Sequence, residues 1–236
     1  MLSPCCLSAD ADFNRQATPN VASGNADEKG ELCGWVHSFT LGRVGYDESM
    51  SEPALKREWT VDEFLDWAEA QERGRYELLR GEIVAMSPEP AGHARSKLNI
   101  TRALTASIER TRIPCEAFVD SLAVVIDETT SYEPDVLVNC GPPVAPHSMK
   151  ASNPLVVVEV LSPSTRNIDK SIKIPDYFRV PGLVHYLIVD LGRRNVLHYR
   201  RMTDGTITVA IQKDGAIQLD PPGLALDVAD CLPAPA

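Results

Sequence analysis

Asp135 opens a short apolar run, Pro134-Asp135-Val136-Leu137-Val138, and Glu159 stands near the end of the most apolar run in the chain, Pro154-Leu155-Val156-Val157-Val158-Glu159-Val160-Leu161. A continuous run of β-branched residues bounded by proline reads as a strand buried on both faces. A charge left unpaired there is costly, so Glu159 needs a partner, a metal or a proton. A helical segment carrying Lys173 follows, in which Asp169, Lys170 and Lys173 lie three or four apart and can share a helix face. Hard divalent ions favour carboxylate oxygens, and Mg2+ takes one or two of them together with waters and a substrate phosphate. Two acids at central strands with a lysine after them therefore suit metal-assisted hydrolysis. The ion polarises a phosphoryl oxygen while the ammonium stabilises developing charge.

Each of these residues also has a plainer reading. Pro134-Asp135 can be only a turn former, Glu159 can pair structurally with Lys173 or an arginine, and Lys173 can be a solvated helix lysine. His93 follows Gly92 at a helix start, where it either touches a phosphate or caps the helix. Tyr177 and Tyr186 read as packing residues with one polar end. The Ser162-Pro163-Ser164-Thr165 cluster reads as a helix entry, because no Gly-x-Ser-x-Gly elbow surrounds it.

The elements that must position these side chains can be read in order. Thr60-Val61-Asp62-Glu63 forms a capping box, and Phe64, Leu65, Trp67 and Ala68 give the helix an apolar face that Gly74 ends. Residues 75–79 and 82–86 read as a hairpin turning at Arg80-Gly81. A second helix is expected from His93 to about Arg110, then strands over Ala117–Ile126 and Pro134–Val138. After the Glu159 strand, a helix is expected from Asn167 to about Arg179, with Pro175 near an end. Val184–Asp190 reads as a buried strand, and Val196–Tyr199 and Thr206–Ile211 as edge strands. Strands mixed with two or three helices indicate an α/β fold with a mixed sheet.

Composition bounds the rest. The 236 residues suffice for one domain with a substantial core, and 44% hydrophobic with 24% charged residues is ordinary globular composition. A formal charge of -10 argues against coating nucleic acid through bulk positive charge, but leaves room for an enzyme with a local groove. Six scattered cysteines show neither zinc spacing nor a disulfide framework. No apolar stretch reaches membrane-span length and the first dozen residues lack a signal-peptide pattern, so a cytoplasmic protein without membrane contact is expected. Residues 1–55, rich in small and polar types at their start, are expected to be a disordered extension, with Met50 as an alternative natural start. Residues 56–220 form the expected domain, and 221–236 an expected C-terminal tail.

Together, Tyr76-Glu77-Leu78, Gly81-Glu82, His93, Pro134-Asp135-Val136, Val158-Glu159-Val160, Ser162-Pro163-Ser164, Asp169, Lys173, Tyr177 and Tyr186 form an ordered set. That set resembles the Uma-two type of restriction endonuclease, within the PD-(D/E)xK nuclease superfamily, over residues 58–199. The resemblance implies a restriction-endonuclease-like core, a mixed β-sheet flanked by helices, and phosphodiester hydrolysis assisted by Mg2+ or Mn2+. It implies that Asp135 and Glu159 are catalytic acids that bind metal and that Glu77 completes the metal shell. The superfamily lysine two residues beyond the second acid is Leu161 here, and Lys173 on the following helix matches the migrated lysine, with Lys170 as substitute. His93 and Lys170 are the expected substrate contacts. The implied partner is nucleic acid, DNA first, and a homodimer would help in cutting both strands. Two rivals stand beside this reading. One is a catalytically idle nucleic-acid- or protein-binding module that keeps the fold. The other is a two-carboxylate hydrolase of sugars, independent of metal.

Overall fold

Thr60 starts the first helix as its spacing predicts. Its side chain accepts the Glu63 N–H at 3.3 Å while Glu63 Oε2 accepts the Thr60 N–H at 3.0 Å. The computed structural model describes residues 57–161 and 172–233. Expectations for residues 1–55, for the Ser162–Thr165 cluster, for Asp169 and for Lys170 fall outside the described residues.

Helix α1 spans Val61–Glu69 and buries Val61, Phe64 and Leu65. It ends before the expected stop at Gly74, which instead takes a positive φ of 104° on the way into the first strand. Strands β1 (Tyr76–Leu79) and β2 (Glu82–Ala85) pair as a hairpin. Arg80 and Gly81, at φ 49° and 77°, supply the two left-handed residues of a tight turn. Helix α2 runs Ala91–Thr111.

The single strand expected over Ala117–Ile126 is two strands, β3 (Cys115–Val119) and β4 (Val124–Asp127). The chain turns between them at Asp120, whose φ is 47°, so the two join different sheets. Strands β5 (Thr130–Tyr132), β6 (Val136–Cys140) and β7 (Pro154–Val160) follow. Helix α3 (Ile174–Tyr177) carries Pro175 within its first turn, where a missing N–H costs nothing. Strands β8 (His185–Asp190), β9 (Asn195–Arg201) and β10 (Ile207–Gln212) complete a six-stranded sheet ordered β10-β9-β8-β7-β6-β3. Only β7 and β8 run parallel, so the sheet is mixed and the fold is α/β. β9 lies inside the sheet and β10 alone of the two is an edge. A second sheet has the order β2-β1-β5-β4.

The expected tail from 221 is folded. Strand β12 (Leu224–Asp227) pairs with β11 (Ala216–Leu219), and helix α4 (Val228–Cys231) follows. Leu224, Leu226, Val228 and Cys231 are buried in the core against α2, and Ser96 Oγ donates to the Cys231 carbonyl at 2.6 Å. Prolines around this segment mask a short apolar pattern whose partners on α2 lie more than a hundred residues away. The cysteines hold a similar surprise. Cys115 on β3 and Cys140 on β6 face each other in register and join in a disulfide, where sequence spacing showed no framework.

Strand β7 divides the core. Val156, Val158 and Val160 face α2 and β12, whereas Val157 and Leu161 face Tyr132, Tyr177 and Tyr186. Period-two alternation puts Glu159 on the tyrosine side. No helix among the described residues is long and apolar enough to cross a membrane.

Candidate active site

Glu159 is buried on β7, in register with Ile188 of β8, and does not stand unpaired. Tyr177 of α3 donates its hydroxyl to Glu159 Oε1 at 2.8 Å, and the Lys173 ammonium donates to the same oxygen at 3.0 Å. Lys173 precedes α3 and is itself buried. Its Nζ also donates to Glu77 Oε1 at 2.9 Å and stands 5.1 Å from the Tyr132 ring centre, a cation-π distance. Glu77, from the middle of β1, additionally accepts the Glu133 N–H at 3.1 Å. Burial, and then the Glu159 charge, push the Tyr177 hydroxyl well above its ordinary range, so it remains a donor. Tyr132 in turn donates to Asp176 Oδ2 at 2.6 Å, which fixes α3 against β5.

Asp135 reaches this group through the backbone. Its Oδ2 accepts the N–H of Val160, the residue after Glu159, at 2.6 Å. Around it lies a second polar group contributed by α2 and the loop before it. His93 Nε2 lies 3.5 Å from Asp135 Oδ2 and hydrogen-bonds the Val160 carbonyl, while His93 Nδ1 lies 3.3 Å from Glu89 Oε2. The Lys97 ammonium contacts Glu89, donates to both Asp120 oxygens at 2.9 and 2.7 Å, and stands 3.5 Å from Asp135 Oδ1. Burial raises the Asp135 carboxyl above its usual range despite His93, the Val160 N–H and Lys97. Burial acts the same way on Glu89, but there Lys97 and His93 win and hold the carboxyl below its usual range.

Arg75 joins the two groups. It pairs with Glu133 at 2.9 Å, Glu89 at 3.2 Å and Asp120 at 2.9 Å. Burial pushes the Glu133 carboxyl upward, with Arg75 opposing it. A cleft of about 480 Å³ opens beside this edge, lined in part by Arg75, Glu89, Lys97 and Asp120.

Of the residues singled out by sequence, Glu77, Glu159 and Lys173 meet directly, and Asp135 is tied to the same strand end. His93 is only 6% exposed and lies between Val160, Asp135 and Glu89. Among the described residues, one group of three places its donor atoms within 4.8 Å of one another as a metal would need. That group is Glu89, His93 and Asp135, rather than Glu77, Asp135 and Glu159. Glu89, Lys97 and Asp120 went unnoticed in the sequence. For two of them a pattern existed, since positions 89, 93 and 97 recur every four residues and so align on one side of α2 and its lead-in. Asp120 carried no such pattern.

A family model described as "Uma2: Putative restriction endonuclease" matches residues 61–229. Two uncharacterized proteins of Synechocystis sp. are similar in sequence. One, sll1609, is 33% identical over 148 residues, 61% of this chain and 82% of that protein. The other, slr1290, is 30% identical over 187 residues, 78% of this chain and 95% of that protein. A crystal structure described as a putative nuclease belonging to DUF820 from Anabaena variabilis shares the fold. Its TM-score is 0.56 at 20% identity, covering 73% of this chain and 97% of that one.

Proposed function

We propose, from the premise that this chain belongs to the Uma2 family, that it is a metal-dependent endonuclease hydrolysing phosphodiester bonds, with DNA as its substrate. The observation that carries this reading is the meeting of Glu159 with Lys173 and Glu77 beside Asp135, at the ends of β6 and β7. Asp135 and Glu159, both buried, and the half-buried Glu77 are an all-oxygen set of the chemistry that a hard divalent ion, Mg2+ or Mn2+, takes. Asp135 and Glu159 would hold it, with Glu77 completing the set. When bound, such an ion supplies Lewis-acid polarisation of the phosphoryl group and acidifies the attacking water.

The chain's own residues supply the rest. Lys173 carries a positive charge to within hydrogen-bond distance of Glu159, where negative charge on a phosphoryl oxygen would develop. Tyr177 fixes the Glu159 carboxylate from behind, and the Val160 N–H fixes Asp135, so neither acid reorganises during the reaction. The tyrosine cluster of Tyr132, Tyr177 and Tyr186 keeps water from the inner side of the site. Lys170 remains a proposed substrate contact. His93 is better suited to a role inside the acid group than to a phosphate.

A second reading, the idle module that retains the fold, is favoured by one feature: Lys97 and Lys173 already neutralise the acids from within. Cleavage of plasmid and single-stranded DNA with Mg2+ or Mn2+, against EDTA and Glu159→Gln, separates the two. Metal-dependent nicking lost in the variant supports the nuclease; intact substrate with folded protein supports the module.

A further inference from the structure

The His93 imidazole stands outside the Glu159–Lys173 pair and has two differently occupied nitrogens. Nε2 hydrogen-bonds the Val160 carbonyl oxygen, which can only accept, so Nε2 carries a proton. Nδ1 is buried and has no hydrogen-bond partner among the described residues. It faces Glu89 Oε2 across 3.3 Å, and the three donor atoms of Glu89, His93 and Asp135 lie within 4.8 Å of one another. With Nε2 committed to the backbone, Nδ1 is the ring nitrogen left facing Glu89. The Lys97 ammonium contacts the same Glu89 Oε2 and stands 3.5 Å from Asp135 Oδ1, so these oxygens already gather around a cation. A histidine whose far nitrogen donates to a backbone carbonyl is the arrangement that orients an imidazole onto a metal.

We infer that Glu89, His93 through Nδ1, and Asp135 form a site for a first-row transition-metal dication, which selects such ions over Mg2+. Imidazole nitrogen raises affinity for first-row transition ions, whereas Mg2+ demands oxygen and dehydrates reluctantly. The Lys97 ammonium shares Glu89 and Asp135 with this site, yet its two bonds to Asp120 give it a place to remain when an ion enters. Asp135, held by the Val160 N–H, then links this ion to the Glu159 end of the strand. The inference rests on the metal-dependent reading above and names the ion class and the nitrogen ligand.

The test is pulsed EPR of the full chain loaded with Mn2+, with no nucleic acid present. The expected result is nitrogen hyperfine coupling from a directly bound imidazole, read on the wild-type protein so that it needs no variant to fold. In His93→Gln the coupling disappears, and Mn2+ affinity falls roughly tenfold or more in both His93→Gln and Glu89→Gln. Mg2+ displaces Mn2+ only in large excess. Bound Mn2+ without nitrogen coupling overturns the inference, as does coupling unchanged in His93→Gln, and as does the absence of Mn2+ binding. If metal-dependent DNA cleavage persists while the coupling is absent, the nitrogen ligand fails and the nuclease reading stands.

Discussion

The Lys173 ammonium donates to Glu159 Oε1 at 3.0 Å although the two residues are 14 apart in sequence. Leu161 holds the position two residues after Glu159, and it points into the tyrosine-lined half of the core. The charge that a short motif would place on the strand arrives here from the segment leading into α3. That transfer makes Lys173 both a structural counter-ion and the proposed stabiliser of the reacting phosphoryl group.

Lys173→Met removes the ammonium shared by the buried Glu159 and the half-buried Glu77. Breaking a buried pair by removing one partner costs about 3–5 kcal/mol. Urea unfolding should report a loss of that order, and Lys173→Met combined with Glu159→Gln should recover part of it. If the single and double variants unfold alike, the pair is not energetically coupled. DNA cleavage should be lost in both.

Tyr177→Phe removes one donor to Glu159 while keeping the ring in the core. A hydrogen bond to a charged group contributes about 1.5–3 kcal/mol, so stability should fall within that range. Cleavage should drop less than in Glu159→Gln, because the carboxylate remains but is less fixed. Rates equal to the wild type would argue against the orienting role.

Acid lability should come from a pair far from the site. His185 Nε2 lies 2.8 Å from the Pro221 carbonyl, so it donates there, and its Nδ1 accepts from His198 Nε2 at 2.9 Å. Burial lowers both imidazoles to about 4, and the Arg200 charge adds to this. The unfolded chain binds these protons near the ordinary value of about 6.5, so the unfolded state gains protons first as pH falls. The pair's contribution is therefore complete above about pH 6.5 and is lost between there and about 4, by up to roughly 3 kcal/mol per imidazole. Urea midpoints at pH 7 and 5 should differ in the wild type and differ less in His185→Gln/His198→Gln. Equal pH slopes would remove the pair from the account.

Cys115→Ser opens a link that closes 25 residues of chain across β3 and β6. Loss of a loop of that size should cost about 2–4 kcal/mol. Reductant should produce the same decrease in the wild type and none in the variant. A wild type indifferent to reductant would show that the two thiols do not bridge.

Thr60→Ala should lower stability by about 0.5–2 kcal/mol through loss of the cap on α1. Cleavage should be unchanged, since the residue lies outside the acid groups.

Local features were legible in the sequence wherever the signal was local. Thr60 and Glu63 cap α1 because three-residue spacing decides that bond, and Arg80-Gly81 turns the hairpin because its conformation is a property of those two residues. The apolar run around Glu159 declared a buried strand, and burial of a carboxylate required a partner wherever the chain led. Tertiary structure alone decided who the partners are. Register across β3 and β6 brings Cys115 to Cys140, the turn at Asp120 sends one expected strand into two sheets, and β12 with α4 closes the core where composition suggested a tail. The same holds for the acids. Glu77 and Glu159 share Lys173, while Asp135 shares Glu89, His93 and Lys97, because α2 and the loop before it pass over one strand end and α3 lies beside it. Periodicity reports which face of an element is buried, since neighbours along the chain set it. Which charged groups meet on that face depends on contacts between distant segments, and those exist only once the sheet has formed.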